Sequence, residues 1–124
     1  MDYATESLKI FRGDTWDKNI VVTKTLDGSA YNLTGYTWYF TAKIAKSATT
    51  AVIAVSGLCD DDPATGIQPI GLTSEESAVA VRTYQYDVEV RNTDDPPIVK
   101  TIARGTLNIM QDITTWLFIL TKLK

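Results

Sequence analysis

The sequence has 124 residues, of which 44% are hydrophobic and 22% charged, and its formal net charge is −3. This length suits one domain that buries its own core, and the negative charge disfavours a nucleic-acid surface, which is normally basic. The chain has no histidine, and Cys59 is its one cysteine. These counts exclude Ser-His-Asp and Cys-His catalytic sites, zinc sites made of nitrogen and sulfur ligands, and an intrachain disulfide.

Neither end of the sequence predicts a membrane segment. The first six residues lack the charged and apolar regions of a signal peptide. The longest apolar run, residues 116–120, is too short to cross a bilayer. We therefore expect a protein made in a cytoplasm, with no membrane and no nucleic acid among its partners.

Alternation of apolar and polar residues, typical of strands with one buried face, recurs along the chain. It is clearest in residues 84–91, where Tyr84, Tyr86, Val88 and Val90 would face a core. The predicted strands cover residues 8–12, 19–26, 30–33, 37–45, 51–55, 67–72, 84–91, 98–103 and 106–110. Short strands separated by Gly, Pro, Asp and Asn predict one antiparallel β-sandwich, because a parallel sheet would need long helices between its strands.

Local signals refine this prediction. Asp27-Gly28 favours a tight hairpin, and Pro69 confines its strand to an edge or a bulge. Thr73 followed by Glu76 matches a capping box and predicts a short helical turn from residue 74 to about residue 79. Gly105 indicates a bulge or a bend. In the strand at residues 37–45, the side chains expected to face inward are Trp38, Phe40, Ala42 and Ile44.

Several polar and aromatic groups are candidates for function. Asp60-Asp61-Asp62 offers oxygen ligands to a hard cation, but it lacks the ligand spacing of an EF-hand, so a solvated loop is the simpler interpretation. The sequence does not bring together a carboxylate pair for acid–base catalysis, although it contains Asp14, Asp17, Asp87, Glu89 and Asp112. No phosphate-binding glycine motif occurs. We expect no enzyme activity, cofactor or metal, and we expect Cys59 to behave as a small hydrophobic residue.

The aromatic residues give an alternative function, a carbohydrate- or host-surface-binding β-sandwich module. Core packing explains Trp38, Tyr84 and Tyr86, whereas Trp16 and Tyr39 are free to form a stacking platform for a glycan. The full set of candidates is Trp16, Tyr31, Tyr36, Trp38, Tyr39, Tyr84 and Tyr86.

The last segment does not alternate. Residues 116–120 are apolar on consecutive positions, which is unusual because chain termini are generally polar. An exposed apolar patch or an open strand edge marks an association surface. We predict a sandwich domain over residues 1–114 and an assembly segment over residues 115–124; the alternative is an edge strand or helix lying on its own sandwich. The predicted partner interface is Trp116, Leu117, Phe118, Ile119, Leu120 and Leu123.

A series of short motifs resembles the small β-sandwich of tailed-phage structural proteins, most of all the N-terminal domain of phage baseplate upper proteins. The resemblance covers residues 8–114, and the order and spacing of the motifs carry it. In chain order these are Phe11-Arg12-Gly13-Asp14-Thr15-Trp16, Asp27-Gly28, Asn32-Leu33-Thr34-Gly35, Gly66, Leu72-Thr73 with Glu75-Glu76, residues 84–90, residues 102–109 and Asp112-Ile113-Thr114.

This resemblance implies an all-β, immunoglobulin-like antiparallel sandwich that assembles into a virion and carries no catalytic residues. It implies other virion proteins and further copies of the chain as partners. The baseplate proteins continue into a longer part, whereas about ten residues follow Thr114 here. The apolar tail is therefore the expected replacement for the missing connection.

Overall fold

The computed structural model describes residues 4–111, which form an all-β, immunoglobulin-like sandwich of two sheets. This confirms the predicted fold class. Within that range there are eight strands, one short α-helix and one 3₁₀ turn. They are β1 (Ala4–Thr5), β2 (Leu8–Phe11), β3 (Trp16–Val21), β4 (Thr37–Lys43), β5 (Ile53–Leu58), the 3₁₀ turn (Pro63–Thr65), β6 (Ile67–Leu72), α1 (Ser74–Ser77), β7 (Arg82–Arg91) and β8 (Val99–Met110).

The larger sheet has the order β1-β8-β7-β4-β5, and β2 continues beside β8 where β1 ends. β4, β5, β7 and β8 pair antiparallel, as predicted. β1 and β2 instead run parallel to β8, with Ile10 opposite Ile109, so this sheet is mixed. The pairing of the first strand with the last strand ties the two ends of the described chain together.

The smaller sheet consists of β3 and β6, which pair antiparallel from Trp16 opposite Leu72 to Val21 opposite Ile67. The predicted strand at residues 30–33 is wrong, because this part of the chain joins the structure by one bridge, from Thr23 to Ala30. Side chains hold the segment as turns instead. Asp27 Oδ1 accepts from the Ser29 amide at 3.0 Å, and local bonds of this kind compete with a sheet ladder.

The core lies between the sheets, and β7 supplies its middle. Tyr84, Tyr86, Val88 and Val90 are all buried, as the alternation predicted. The ring of Tyr86 stacks on Phe40 of β4 with centroids 5.5 Å apart. On β4, the predicted inward residues Trp38, Phe40 and Ala42 are also buried.

Ile44 is the exception among the predicted inward positions. It is 49% exposed, because β4 ends at Lys43 and the chain then turns away from the core. The alternation rule applies only while the backbone remains extended.

The hydroxyl of Tyr84 forms a feature that identifies this class of sandwich. It donates to the Ala80 carbonyl at 2.5 Å, four residues earlier, across the corner that leads into β7. This arrangement matches the tyrosine corner of immunoglobulin-like sandwiches, in which a tyrosine near the start of the equivalent strand bonds back to the preceding connection. Trp38, buried on β4, occupies the position of their core tryptophan.

The predicted capping box is confirmed. The Thr73 side chain accepts from the Glu76 amide at 3.2 Å, and the Glu76 carboxylate accepts from the Thr73 amide at 2.7 Å. The helix ends at Ser77, which is fully buried and whose hydroxyl donates to the Asp14 carbonyl at 2.6 Å. This contact joins the helix to the turn between β2 and β3.

The two predicted strands at residues 98–103 and 106–110 are one strand, β8. It contains a bulge, because Ala103 stands opposite Val88 whereas Thr101 stands opposite Glu89, which leaves Ile102 as the extra residue. Gly105 continues the strand and allows a close approach of the chain between β1 and β2. A side chain there would meet the carbonyl oxygen of Glu6, which explains why glycine occupies the position.

Candidate functional site

The predicted partner interface, Trp116, Leu117, Phe118, Ile119, Leu120 and Leu123, lies outside the described residues. The structure does describe the end of β8, the last strand before this segment in the sequence. β8 ends at Met110, whose carbonyl accepts from the Arg12 amide at 2.8 Å and whose partner in β2 is Phe11. Phe11 is 46% exposed, and Val81, just before β7, is 45% exposed. Two partly exposed apolar side chains therefore flank the end of β8.

The smaller sheet offers a second apolar surface. Val21 and Ile67 are register partners at the end of this sheet, and they are 66% and 40% exposed. Within residues 4–111, β3 and β6 pair only with each other, so each has one edge without a strand neighbour. Strand edges of this kind accept further strands by backbone hydrogen bonding.

The two edges of the smaller sheet differ. The Val22 amide donates to the Gly66 carbonyl at 2.7 Å, and the alternation of an antiparallel ladder then directs the nitrogen of Pro69 away from β3. A proline has no N–H, so the outer edge of β6 lacks a donor at this point. The sequence predicted an edge position for Pro69, and the structure confirms it. The edge of β3 has no proline and is the more receptive one.

A cavity of about 520 Å³ lies on the outer face of the larger sheet. The register of the strands builds it, because Thr41, Asp87 and Arg104 stand side by side on β4, β7 and β8, and Thr5 of β1 follows next. Lys43 follows Thr41 by two residues on β4, so its side chain lies on the same face of the sheet. The residues that line the cavity are Thr5, Thr41, Lys43, Lys46, Gln85, Tyr86, Asp87, Arg104 and Gly105.

The cavity is positively charged, whereas the chain as a whole is negatively charged. Lys43, Lys46 and Arg104 contribute three cations, and Asp87 contributes one carboxylate. Burial raises the pKa of Asp87, and the positive charges of Arg104 and Lys43 oppose that rise. Asp87 thus neutralises one of the three positive charges, and the formal net charge of the lining residues is +2. An arrangement of this kind attracts an anionic group.

Acidic residues gather at one end of the sandwich. β5 and β7 both end beside Thr37, since Leu58 and Arg91 are its two register partners. The loops that follow these strands carry Asp60, Asp61 and Asp62 after β5 and Asp94 and Asp95 after β7, and all five residues are exposed. The exposed loop expected for Asp60-Asp61-Asp62 is therefore observed.

Two perturbed groups lie beside this acidic end. Burial, with a smaller contribution from Asp60, raises the pKa of Cys59 to about 11. Burial, together with the hydroxyl of Tyr31 at 2.8 Å and the charge of Asp94, raises the pKa of Tyr36 to about 12. Cys59 is 4% exposed, as predicted for a small core residue. Neither group is poised to react at neutral pH.

The candidate carboxylates do not meet. Asp17 lies on β3 of the smaller sheet, whereas Asp87 and Glu89 lie on the outer face of β7. Glu89 contacts Arg91 at 3.6 Å, and Asp14 uses its backbone carbonyl to hold Ser77. Asp112 lies outside the described residues. Among residues 4–111, no group of three His, Cys, Asp or Glu side chains is placed to hold a metal ion.

The candidate aromatic platform is divided between two surfaces. Trp16 is half-buried and packs against Phe40, with ring centroids 6.0 Å apart. Tyr39 is 37% exposed, and as the neighbour of the inward Phe40 it projects from the opposite face of the sheet. Trp38, Tyr84 and Tyr86 are in the core, as predicted. Trp16 and Tyr39 therefore do not form one stacking surface.

Sequence reasoning missed the positive cavity and the acidic end. Each residue in them could be read as a solvated charge on a strand or in a loop. Their grouping depends on which strands are neighbours and in which register. The signal that could have indicated it was the regular placement of Thr41, Lys43, Gln85 and Asp87 on the polar face of two predicted strands.

Comparisons with known proteins add no family. No protein-family model matches the chain, and no curated protein matches its sequence. In the described part of the chain, no helix has the length and apolar character needed to cross a membrane. Residues 4–111 form an immunoglobulin-like sandwich domain with two partly exposed apolar surfaces, one positively charged cavity and one acidic end.

Proposed function

We propose that this protein is a non-enzymatic structural component of a bacteriophage virion, in a baseplate, a tail or a head decoration, and that it assembles through contacts between subunits. It would be made in the cytoplasm of the bacterial host and would act in the virion. Its partners would be further copies of itself and other virion proteins.

The observation that supports the assembly part of this proposal is the exposed apolar surface at the end of β8. Phe11 and Val81 are nearly half exposed on either side of the end of β8. In the sequence, the end of β8 is followed by five consecutive apolar residues at positions 116–120. Contiguous apolar surface of this kind is characteristic of association sites. The edge of β3 gives a second surface on which a neighbour could add a strand.

The virion part of the proposal rests on the ordered motifs of the sequence resemblance. The described motifs have physical roles consistent with a shared scaffold. Gly13 and Gly35 adopt positive φ in turns, the Thr73 capping box holds the helix, and Gly105 admits the chain next to β1.

Light scattering on two proteins tests the assembly proposal. The first is the full chain, and the second ends at Thr115 and so lacks the apolar segment. We expect a defined oligomer for the full chain and a folded monomer for the shortened one. A matched control replaces Thr121 and Lys122 with Ser in the full chain, because this changes the segment without removing apolar side chains.

Two outcomes would contradict the role of the segment in assembly. If both proteins are monomers, the chain does not self-associate and a binding module, such as one for glycans, becomes the better explanation. If the shortened protein unfolds, the segment belongs to its own core. The virion part has a separate test, which is detection of the chain by mass spectrometry in purified phage particles from a strain that encodes it.

A further inference from the structure

We propose that the positive cavity on the larger sheet receives the acidic end of a second copy of this chain, so that copies associate head to tail. This inference deepens the proposed function, because it rests on self-assembly and names the surfaces that meet. The acidic end is defined as Asp60, Asp61, Asp62, Asp94 and Asp95.

The first step is the chemistry of the cavity. Lys43, Lys46 and Arg104 surround Asp87, and the polar side chains of Thr5, Thr41 and Gln85 complete the lining. Arg104 and Lys43 both act on Asp87, so the charge available to a ligand is the formal net charge of +2 of the lining. Lysine offers three donors on a flexible stem, and hydroxyl and amide groups can also donate to carboxylate oxygens. This lining suits carboxylates of an incoming loop.

The second step is the position of the acidic end relative to the cavity in one molecule. Thr37 marks the acidic end of β4, and Lys43 marks the cavity end of the same strand. Six residues of strand separate them by roughly 20 Å. The Debye length at physiological ionic strength is only about 8 Å, so the two charged regions interact weakly within one copy. Their complementarity is available to a second copy.

The third step is the local charge at the acidic end. The cations at this end are Arg91, which contacts Glu89 at 3.6 Å, Lys100 of β8, and Lys24, which follows Val22, whose amide donates to the Gly66 carbonyl. Three cations do not balance five exposed aspartates and Glu89, so this end of the sandwich remains negative. A negative end and a positive face on one chain give a contact between unlike surfaces. Contacts of this type continue into rings or open filaments rather than closing as two-fold dimers.

Charge reversal on each surface tests the contact in the full chain. Lys46→Glu alters the cavity, and Asp61→Lys alters the acidic end; both residues are exposed and on loops, so both proteins should fold. We expect each variant alone to associate roughly tenfold or more weakly than the wild-type chain, because like charges then face each other. Sedimentation velocity at low salt and at high salt measures this, with circular dichroism to confirm folding.

The decisive experiment mixes the two variants. A Lys46→Glu copy keeps a normal acidic end, and an Asp61→Lys copy keeps a normal cavity, so one contact of wild-type charge can form between them. We expect 1:1 complexes in the mixture that neither variant forms alone. Lys9→Glu is the matched control, because it makes the same charge change on an exposed residue of β2 that does not line the cavity and lies opposite Asn108, far along β8 from the acidic end. It should leave association unchanged.

The outcomes separate this inference from the assembly proposal. If the mass of the full chain depends on residues 116–124 but is insensitive to both charge reversals, the head-to-tail contact is wrong and the assembly proposal stands. If the charge reversals weaken association and the mixture restores it while truncation at Thr115 has no effect, the contact stands and the role of the tail is wrong. A mixture that forms no new complex overturns the inference.

Discussion

Replacing Gly105 by alanine should detach the N-terminal strands from the rest of the larger sheet. A Cβ at this position would collide with the Glu6 carbonyl oxygen and would lie 3.0 Å from the Glu6 carbonyl carbon. These are backbone atoms, so the chain between β1 and β2 must move. The φ of Gly105 is +158°, an angle that L residues rarely adopt, so the backbone conformation adds to the steric contact.

The size of the effect follows from the interactions of Glu6. Its carbonyl accepts from the Tyr86 hydroxyl at 2.9 Å, and its amide donates to the Arg104 carbonyl at 3.2 Å. Each bond contributes about 1 kcal/mol, so the loss of both lowers the free energy of unfolding by about 2 kcal/mol. The ion pair between Glu6 and Lys18 is partly exposed at both ends and adds little. For a domain of this size, the melting temperature should fall by about 8 °C.

Hydrogen exchange together with thermal unfolding measures both the size and the place of this effect. In Gly105→Ala, the amides of β2 at Leu8–Phe11 should lose protection more than those of β7. Gly28→Ala is the control, because Gly28 has φ +73° and nothing within 4 Å of an added Cβ. The control should cost about 1 kcal/mol through its left-handed backbone and leave β2 protected. Unchanged protection of β2 in Gly105→Ala would refute the reasoning.

Three further predictions concern Gln68, Cys59 and Asp87. Gln68→Met should change the free energy of unfolding, measured by urea titration, by less than about 1 kcal/mol. The variant loses the hydrogen bond from Gln68 to the Pro69 carbonyl, but it also removes a buried Oε1 that has no partner among the described residues, and the two effects offset each other. A loss of several kcal/mol would mean that this oxygen is satisfied. At neutral pH, Cys59 should react with a thiol reagent only as fast as the protein opens, because Cys59 is 4% exposed and the pKa of its thiol is raised to about 11. Reaction at the rate of a free thiol would contradict this. The carboxyl of Asp87 has a pKa above its ordinary value of 3.8, so its ionised form destabilises the fold, and this cost is absent at low pH and appears as the pH rises above 3.8. Urea unfolding from about pH 3 to about pH 7 should therefore show the wild-type chain losing stability relative to Asp87→Asn, and a relative gain would mean that attraction to Arg104 and Lys43 outweighs burial.

The sequence by itself determined the features that depend on near neighbours in the chain. The alternation in residues 84–91 placed Tyr84, Tyr86, Val88 and Val90 in the core because successive side chains of a strand point to opposite faces. The capping box at Thr73 and Glu76 formed as predicted, since its hydrogen bonds span only three residues. Pro69 indicated an edge strand because a missing N–H cannot take part in a ladder on both sides.

The tertiary structure decided which of these elements meet. Ile44 has the right spacing for the core, yet it is exposed because β4 ends one residue earlier. The two predicted strands at residues 98–103 and 106–110 form one strand because β8 pairs with β7 on both sides of Gly105, and no local pattern encodes that pairing.

The positive cavity depends on the same kind of long-range information. Lys43, Asp87 and Arg104 belong to three strands, and their distances follow from strand order and register. The two acidic loops share one end of the sandwich because β5 and β7 both run antiparallel to β4. Alternation fixes the face on which a side chain lies, but the neighbour on the next strand is set by packing of residues far apart in the chain. That is why the sequence predicted the sandwich, whereas its charged surfaces became visible only in the folded structure.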